Sequence, residues 1–452
     1  MRADARVRSE AAAPTPLGRV VAGTAAGTVI EYYDFGIYAV LAVYLGHSFF
    51  PHGDPTLGVL IAVASTGVAF VVRPVGGMFF GWMSDVVGRK TTFMTTLFLM
   101  SAATIGMGLT PDYSAIGILA PLIIVSLRIL QGLAVGGEYA AASTYVTEHA
   151  PDDKRGYYTG WLGAVNGGSI VLALLAVLAT QRALDTVQFQ SWGWRLPFLY
   201  AAALLIVAFF LRTRLGESPI FLRLEAIGQR AQTPLRSVLG KRNARRQVMA
   251  VAFGVCTPQI TAGLAGSTLP LYFMQTSGSV EASHASGLIA AGSLAWMPLA
   301  LLAGTLSDRV GRKPIQLTGM ALGVLSFLPL YHLLTHAASA GSPAAFLWIV
   351  LLQIPSSMIV GPAFAVITES FPAAVRTTSA AIAFSTGGVV GGFSPAVALW
   401  VANKAHDLRW GVAVPTCILA VGILVNLLWV AEHSQRRIWD EVEGRPPGSS
   451  TG

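Results

Sequence analysis

Of the chain's 452 residues, 54% are hydrophobic and 12% charged, far below the roughly 25% charged content of soluble proteins, so the composition excludes a soluble globular fold. The mean hydropathy of +0.61 agrees, and a net charge of +8 raises a nucleic-acid reading that the placement of the charges removes. Cys256 and Cys417 stand alone and the eight histidines lack metal-ligand spacing, so neither a disulfide framework, a metal nor another cofactor is expected.

In chain order, the start is polar and Arg-rich (Arg2, Arg6, Arg8), and the apolar run after Arg19 is too long for a cleavable signal core. A helix needs about 20 apolar residues to cross the hydrocarbon core. Twelve such stretches follow, near residues 19–47, 57–82, 91–110, 115–146, 157–180, 195–212, 247–275, 284–306, 315–335, 344–368, 377–402 and 410–431. Glycines recur at helical spacing inside them, as at Gly23 and Gly27 or Gly132 and Gly136, which predicts close helix approach. In the tenth, Pro355 to Pro362 predicts a distortion that exposes backbone carbonyls. The polar stretch from Thr213 to Arg246 divides six segments from six, and reads as a tether with a short surface helix. The tail after Glu432, with Arg445-Pro-Pro-Gly, is expected to be disordered. The resulting division is an N-terminus (1–18), a six-helix bundle (19–212), a linker (213–246), a second six-helix bundle (247–431) and a tail (432–452).

Two phrases recur at nearly one offset. Gly81-Trp-Met-Ser-Asp85-Val-Val-Gly88-Arg89-Lys90 returns 223 residues later as Gly304-Thr-Leu-Ser-Asp308-Arg309-Val-Gly311-Arg312-Lys313. Thr147-Glu148-x-x-Pro151-x-x-x-Arg155 returns after 221 residues as Thr368-Glu369-x-x-Pro372-x-x-x-Arg376. Half the chain is therefore duplicated. Paired halves in a membrane protein flank a central substrate site and rock about it, which predicts a transporter. With twelve crossings, 24 of the 30 Lys and Arg residues fall on the linker side; Arg182, Arg195, Lys404 and Arg409 fall opposite, and Arg73 and Arg128 lie inside segments. Positive charge marks the cytoplasmic face. Both termini are expected there, and the basic pI reflects topology rather than a nucleic-acid partner.

Charges inside the bilayer carry the functional expectation, since each costs about 2.5–3.5 kcal/mol at mid-membrane unless paired, hydrated or used. Glu31 and Asp34, three apart, share one helix face and are candidates for proton coupling, together with Arg128 and Glu138 of the fourth segment. Arg128 cannot shed its charge and needs a carboxylate, from the protein or from the substrate. Gln131 adds donors on the same face, and Arg73 is an interior partner for Glu138, Asp34 or Glu31, a choice the sequence leaves open. Tyr38, Gln259 and Tyr272 complete the substrate-binding candidates, with Trp296 and Gln353 as further polar or aromatic groups of the second half. Asp85, Arg89, Asp308 and Arg312 lie too near the membrane edge for transport chemistry and are expected to form a conformational gate, each carboxylate capping a neighbouring helix.

At these residues the chain resembles the major facilitator superfamily, whose signature is the Gly-x-x-x-Asp-Arg-x-Gly-Arg-Lys loop; the first copy departs from it at Val86. Glu31-Tyr-Tyr-Asp34-Phe, Arg73-Pro-Val-Gly-Gly, Arg128-Ile-Leu-Gln-Gly132 and Trp192-Gly-Trp-Arg195-Leu-Pro-Phe are similar to its metabolite:proton symporter family, from about Gly18 to Glu432. The resemblance implies an all-α protein with twelve transmembrane helices in two pseudo-symmetric six-helix bundles. It also implies a monomer in a bacterial cytoplasmic membrane, with protons, the lipid bilayer and a small molecule as partners. The short tail and Gly391-Gly-Phe-Ser394-Pro395 lean towards proton-coupled import of a small organic acid, a carboxylate metabolite. The alternative is uptake of a zwitterionic osmolyte such as betaine or proline. A non-transporting sensor on the same fold is the remote alternative, and an enzyme is not expected, since no phosphate loop or nucleophile triad is present.

Overall fold

The computed structural model describes residues 16–50, 55–276, 280, 282–434 and 438–443; the Arg-rich start and the Pro/Gly-rich end of the tail lie outside them. Twelve long helical elements cross the fold. The first six are α1 (Leu17–Val40, continued by Ala42–Phe49), α2 (Pro55–Val86), α3 (Arg89–Leu109), α4 (Leu119–His149), α5 (Arg155–Ala183) and α6 (Leu196–Thr213). The second six begin with α7, assembled from Arg242–Val251, a π turn at Ala252–Cys256, Thr257–Gly266 and Thr268–Thr276. They continue with α8 (Ala282–Val310), α9 (Arg312–Ser339), α10 (Ala344–Glu369), α11 (Arg376–Ala405) and α12 (Leu408–Trp429). Ten spans among the described residues are long and apolar enough to cross a membrane; α1, made polar by Glu31 and Asp34, and α2 complete the twelve.

Small residues set the packing, because lipid gives two apolar helices no reason to prefer each other. A Cβ on Gly76 would stand 2.0 Å from the Leu133 carbonyl oxygen, and one on Gly136 would stand 2.3 Å from that of Arg73. Glycine at these positions is what lets α2 and α4 touch along their backbones. Between the halves, α2 runs along α11 and α5 along α8. Gly156 and Gly304 meet there, each Cβ position within 2.5 Å of the other's carbonyl oxygen.

The structure corrects two expectations. α10 runs unbroken from Ala344 to Glu369 with both prolines inside it. Its neighbour packs closely there: Gln316 Nε2 of α9 donates to the Ile359 carbonyl at 3.2 Å, next to the Met358 carbonyl that Pro362 leaves without an N–H partner. Membrane helices tolerate proline where neighbouring helices pack closely on them, as α9 does through Gly319, whose Cβ position lies 3.0 Å from the Pro355 carbonyl oxygen. The tail is not wholly irregular either. Ile438–Glu443 is a helical turn whose Ile438 is buried against Ile220, Leu224 and Ala373. Ile220 and Leu224 belong to Pro219–Ala226, one of two short linker helices, capped by the Ser218 hydroxyl accepting from Phe221 N at 3.2 Å.

Candidate functional site

α1 presents Glu31 and Asp34 on one face, as their spacing requires, but gives them different surroundings. Asp34 is fully enclosed. It accepts from Arg128 Nη1 of α4 at 3.0 Å, from Gln131 Nε2 at 2.9 Å and from Thr104 Oγ1 of α3 at 2.9 Å. The same Arg128 nitrogen donates to Gln131 Oε1 at 2.8 Å, and the guanidinium carbon lies 3.3 Å from the centre of the Tyr38 ring. Arg128 Nε and Nη2 are buried with no hydrogen-bond partner among the described residues. The carboxylate that Arg128 needs is therefore Asp34, one of several that the sequence left open.

Glu138 takes another partner. Arg212, at the end of α6, donates from Nη2 to Glu138 Oε1 at 2.7 Å, from Nη1 to the Phe93 carbonyl at 2.7 Å and from Nε to the Gly23 carbonyl at 3.1 Å. Gly27 makes the room: a Cβ there would collide with Arg212 Nη2 at 1.6 Å. The sequence missed Arg212, whose place at a span end reads as a topology anchor, and Arg73 is accordingly not the partner of Glu138.

Arg73 is 4% exposed, and its guanidinium carbon lies 4.0 Å from the Phe70 ring centre and 5.2 Å from that of Phe35. Its Nε is buried without a hydrogen-bond partner among the described residues. Glu31, 3% exposed, lies one turn before Phe35 on α1, whose ring meets the Arg73 guanidinium. No ion pair within 4.0 Å joins the two among the described residues. Close by, Tyr139 of α4 stacks on Phe384 of α11 (ring centres 3.5 Å apart) and on Phe364 of α10 (4.4 Å). Gln259 donates to the Tyr139 hydroxyl, and its own Oε1 is buried without a partner among the described residues. Trp296 and Gln353 are used for packing: they donate to the Gly163 and Gly266 carbonyls at 2.9 and 2.8 Å. Tyr272 is half-buried on the last segment of α7.

On the face that carries the linker, the two repeats interlock reciprocally. Asp85 Oδ2 accepts from Thr378 N at 2.8 Å and Thr378 Oγ1 at 2.7 Å, at the start of α11. Asp308 accepts from Gly156 N and Tyr157 N, each at 2.8 Å, at the start of α5. Each motif carboxylate thus sits on the helix N-terminus of the opposite half, where unpaired N–H groups favour negative charge. Arg89 pairs with Asp85 at 3.1 Å and Glu148 at 3.4 Å, and Arg376 reaches Glu148 at 3.2 Å. Symmetrically, Arg312 pairs with Asp308 at 2.6 Å and Glu369 at 3.2 Å, and Arg155 reaches Glu369 at 2.9 Å. Thr147 and Thr368 touch between the two networks, Oγ1 to Oγ1 at 2.9 Å. Glu148, Arg155, Glu369 and Arg376 were visible in the sequence as a repeat, without an assigned place in the gate.

A third symmetric pair was not anticipated. Glu217, in the linker, accepts from Arg89 N at 3.0 Å and Lys90 N at 3.2 Å; Glu432, after α12, accepts from Lys313 N at 2.7 Å. These carboxylates cover the first turns of α3 and α9, entered through Gly88 (φ 134°) and Gly311 (φ 109°). That backbone region admits glycine at no steric cost, which explains the glycine in both motif copies. Burial pushes the Glu217 carboxyl above its ordinary value, against the opposing N–H groups of Ser218, Lys90 and Arg89. At Glu432 burial acts the same way, but the N–H groups of Lys313 and Ser434 outweigh it and hold the carboxyl below its ordinary value.

The sequence matches the family described as Sugar (and other) transporter over residues 20–238, and the Major Facilitator Superfamily over residues 253–449. It is 31% identical over 91% of its length, and 83% of the relative's, to the glycine betaine/proline/ectoine/pipecolic acid transporter OusA of Dickeya dadantii. It is 30% identical, with the same coverage, to the proline/betaine transporter of Escherichia coli K12. It is also 33% identical to the inner membrane metabolite transport protein YhjE of that strain, over 85% of this chain and 87% of YhjE. Among solved structures, the proton:xylose symporter XylE bound to 6-bromo-6-deoxy-D-glucose superposes with a TM-score of 0.71 at 20% identity, covering 95% of this chain and 98% of that one. A double tryptophan mutant of XylE gives a TM-score of 0.74 at 18% identity, covering 95% of this chain and 99% of that one. These two likenesses are of fold. The duplicated halves, the reciprocal Asp-Arg contacts and the whole-length relatives lead to one assignment: the chain belongs to the major facilitator superfamily of membrane transporters, and within it to the metabolite:proton symporter family.

Proposed function

We propose that the chain imports a zwitterionic osmolyte of the betaine or proline type together with protons, by alternating access. The likeness over nine-tenths of the chain to carriers named for proline and betaine supports this choice. The organic acid favoured on the sequence has no such support and gives way to its alternative. Asp34 is the coupling carboxylate in this reading. A proton on Asp34 would weaken its bonds to both Arg128 and Gln131 at once and free the guanidinium, whose other nitrogens are unpartnered, to rearrange. Glu138, held by Arg212, is a strut. Asp85, Arg89, Asp308 and Arg312 close the linker face, which the excess of Lys and Arg assigns to the cytoplasm together with both termini. The protein works as a monomer of two six-helix halves, 19–212 and 247–431, joined by the 213–246 linker.

The test is uptake into proteoliposomes of labelled glycine betaine, proline, citrate and 2-oxoglutarate under an imposed proton gradient. Betaine or proline should enter and acidify the lumen. Entry of the di- and tricarboxylates alone would overturn the substrate class, and sodium-driven uptake without a pH change would overturn the coupling.

A further inference from the structure

The interior holds two groups of opposite sign that the fold brings near each other and does not join: the Arg73 guanidinium rests on Phe35, one turn beyond Glu31 on α1. Burying a charge is costly unless it is paired, and every other ionic group named above in the interior has its partner: Asp34 has Arg128 and Glu138 has Arg212. Glu31 and Arg73 are as deeply buried, at 3% and 4% exposure, yet no ion pair within 4.0 Å forms between them or with another described residue. Arg73 is held instead by the faces of Phe70 and Phe35, with its Nε unsatisfied. Both lie where the halves meet. Phe70 fills the space over Gly392 of α11, where a Cβ would stand 2.4 Å from the ring. Gly136, whose Cβ position lies 2.3 Å from the Arg73 carbonyl oxygen, is one turn before Tyr139 on α4, and the Tyr139 stack on Phe364 and Phe384 crosses the seam. Gln259 Oε1, also unsatisfied, lies at that stack.

We infer that Glu31 and Arg73 form a split ion pair that receives a zwitterion between them, the ligand carboxylate on Arg73 and the ligand onium on Glu31. This rests on the substrate class proposed above and adds its receptor. A guanidinium suits a carboxylate through its planar fork. A methylated onium cannot donate hydrogen bonds, so it requires a carboxylate and aromatic faces; Glu31 supplies the first, and the stack of Tyr139, Phe364 and Phe384, one turn along α4 from the Arg73 contact, supplies the second. The gap also sets selectivity. A dicarboxylate would place a second negative charge against Glu31 and a bare cation would face Arg73, so each is repelled by one member of the pair while a zwitterion satisfies both. Because the second half contributes Phe364, Phe384 and Gln259 to the same place, ligand entry bridges the halves, which is what a rocking carrier requires of its substrate.

The test measures binding to the purified full chain of glycine betaine and two analogues: tert-butylacetate, the same shape with a neutral head, and choline, which keeps the onium and lacks the carboxylate. The unsubstituted chain should prefer betaine to both. In Glu31→Gln the preference over tert-butylacetate should collapse while that over choline persists; in Arg73→Gln the reverse should hold. Arg73→Gln should weaken betaine by about 10- to 100-fold, the range for a hydrogen bond to a charged group, and Glu31→Gln by about 10-fold or more, through the lost Coulomb attraction. If a single variant does not fold, the double variant E31Q/R73Q, which leaves no lone charge, takes its place and should bind all three without preference. Variants that keep the original preferences with betaine binding intact would overturn the split-pair site alone. An unsubstituted chain that binds neither betaine nor proline would overturn the proposed substrate class and this site with it.

Discussion

Replacing Asp308 by Asn tests the gate at its most countable point. The carboxylate accepts two backbone N–H groups at 2.8 Å and the Arg312 guanidinium at 2.6 Å. An amide keeps one acceptor oxygen and turns a second donor towards the start of α5, so one backbone N–H loses its partner and the others lose a charged one. Hydrogen bonds to charged groups contribute about 1.5–3 kcal/mol each. Losing the equivalent of one takes about 2–3 kcal/mol from the closed state, roughly a 30- to 150-fold shift towards the open one. The reporter is a thiol at Gly160, in a chain whose exposed Cys417 is replaced by Ser; Cys256 is buried. A Cβ at position 160 meets Gly304 Cα at 3.6 Å and the Ala300 oxygen at 3.7 Å. The thiol is therefore covered while α5 and α8 stay together and uncovered when they part. Its alkylation in D308N should accelerate by the factor above, with ligand affinity little changed. Unchanged alkylation, or a large loss of affinity without faster alkylation, would refute the gate.

Arg128→Lys keeps the charge but gives up the guanidinium that bridges Asp34 and Gln131; it should insert and fold yet transport at less than about a tenth of the normal rate, and normal transport would reduce Arg128 to a strut. Glu138→Gln strands the buried Arg212 charge, which costs about 3–5 kcal/mol and should lower the thermal midpoint in detergent; an unchanged midpoint counts against the pair. The linker carboxylates should respond to pH with opposite signs. The Glu217 value is raised in the fold, so its stabilising effect is full below its ordinary value and is lost as pH rises through the folded one; the Glu432 value is lowered, so its effect is present above the ordinary value and is lost as pH falls through the folded one. E217Q should flatten the first slope of midpoint against pH and E432Q the second, and profiles parallel to the unsubstituted chain would contradict both. A T147C/T368C chain should form a disulfide under mild oxidation and stop transporting until reduced, since those hydroxyls touch only while the linker face is closed; transport unaffected by the crosslink would show that the face need not open.

The helices were legible because hydropathy alone marks a span, and the two carboxylate caps were legible because duplication wrote the same motif twice. The pairings inside the bilayer were not. The five interior charges of the first half, Glu31, Asp34, Arg73, Arg128 and Glu138, admit several matchings, and choosing Asp34 for Arg128 requires knowing that α1, α3 and α4 converge at Thr104. Arg212 escaped notice because its partner lies 74 residues away and its own position, at a span end, is where topology also places arginine. The prolines of α10 misled for a different reason. Whether they break the helix depends on the helices packed around it, such as α9 at Gly319, and one strand of sequence does not name its neighbours.

The reciprocity of the gate is that of a symmetric dimer held in one chain. Asp85 caps a helix of the second half, Asp308 caps the matching helix of the first, and Thr147 meets its own counterpart, as a residue on a two-fold axis must. In a dimer of identical subunits any substitution at such a contact strikes both sides together. Fusing the copies removes that constraint, and Val86 against Arg309 is a place where they have parted. Arg309 is exposed, and both carboxylate caps form with or without it. Divergence has been admitted at the rim and kept from the caps. The same freedom left the opposed interior charges, Glu31 and Arg73, to one half alone, so the chain is symmetric in its rim contacts and asymmetric in its interior charge.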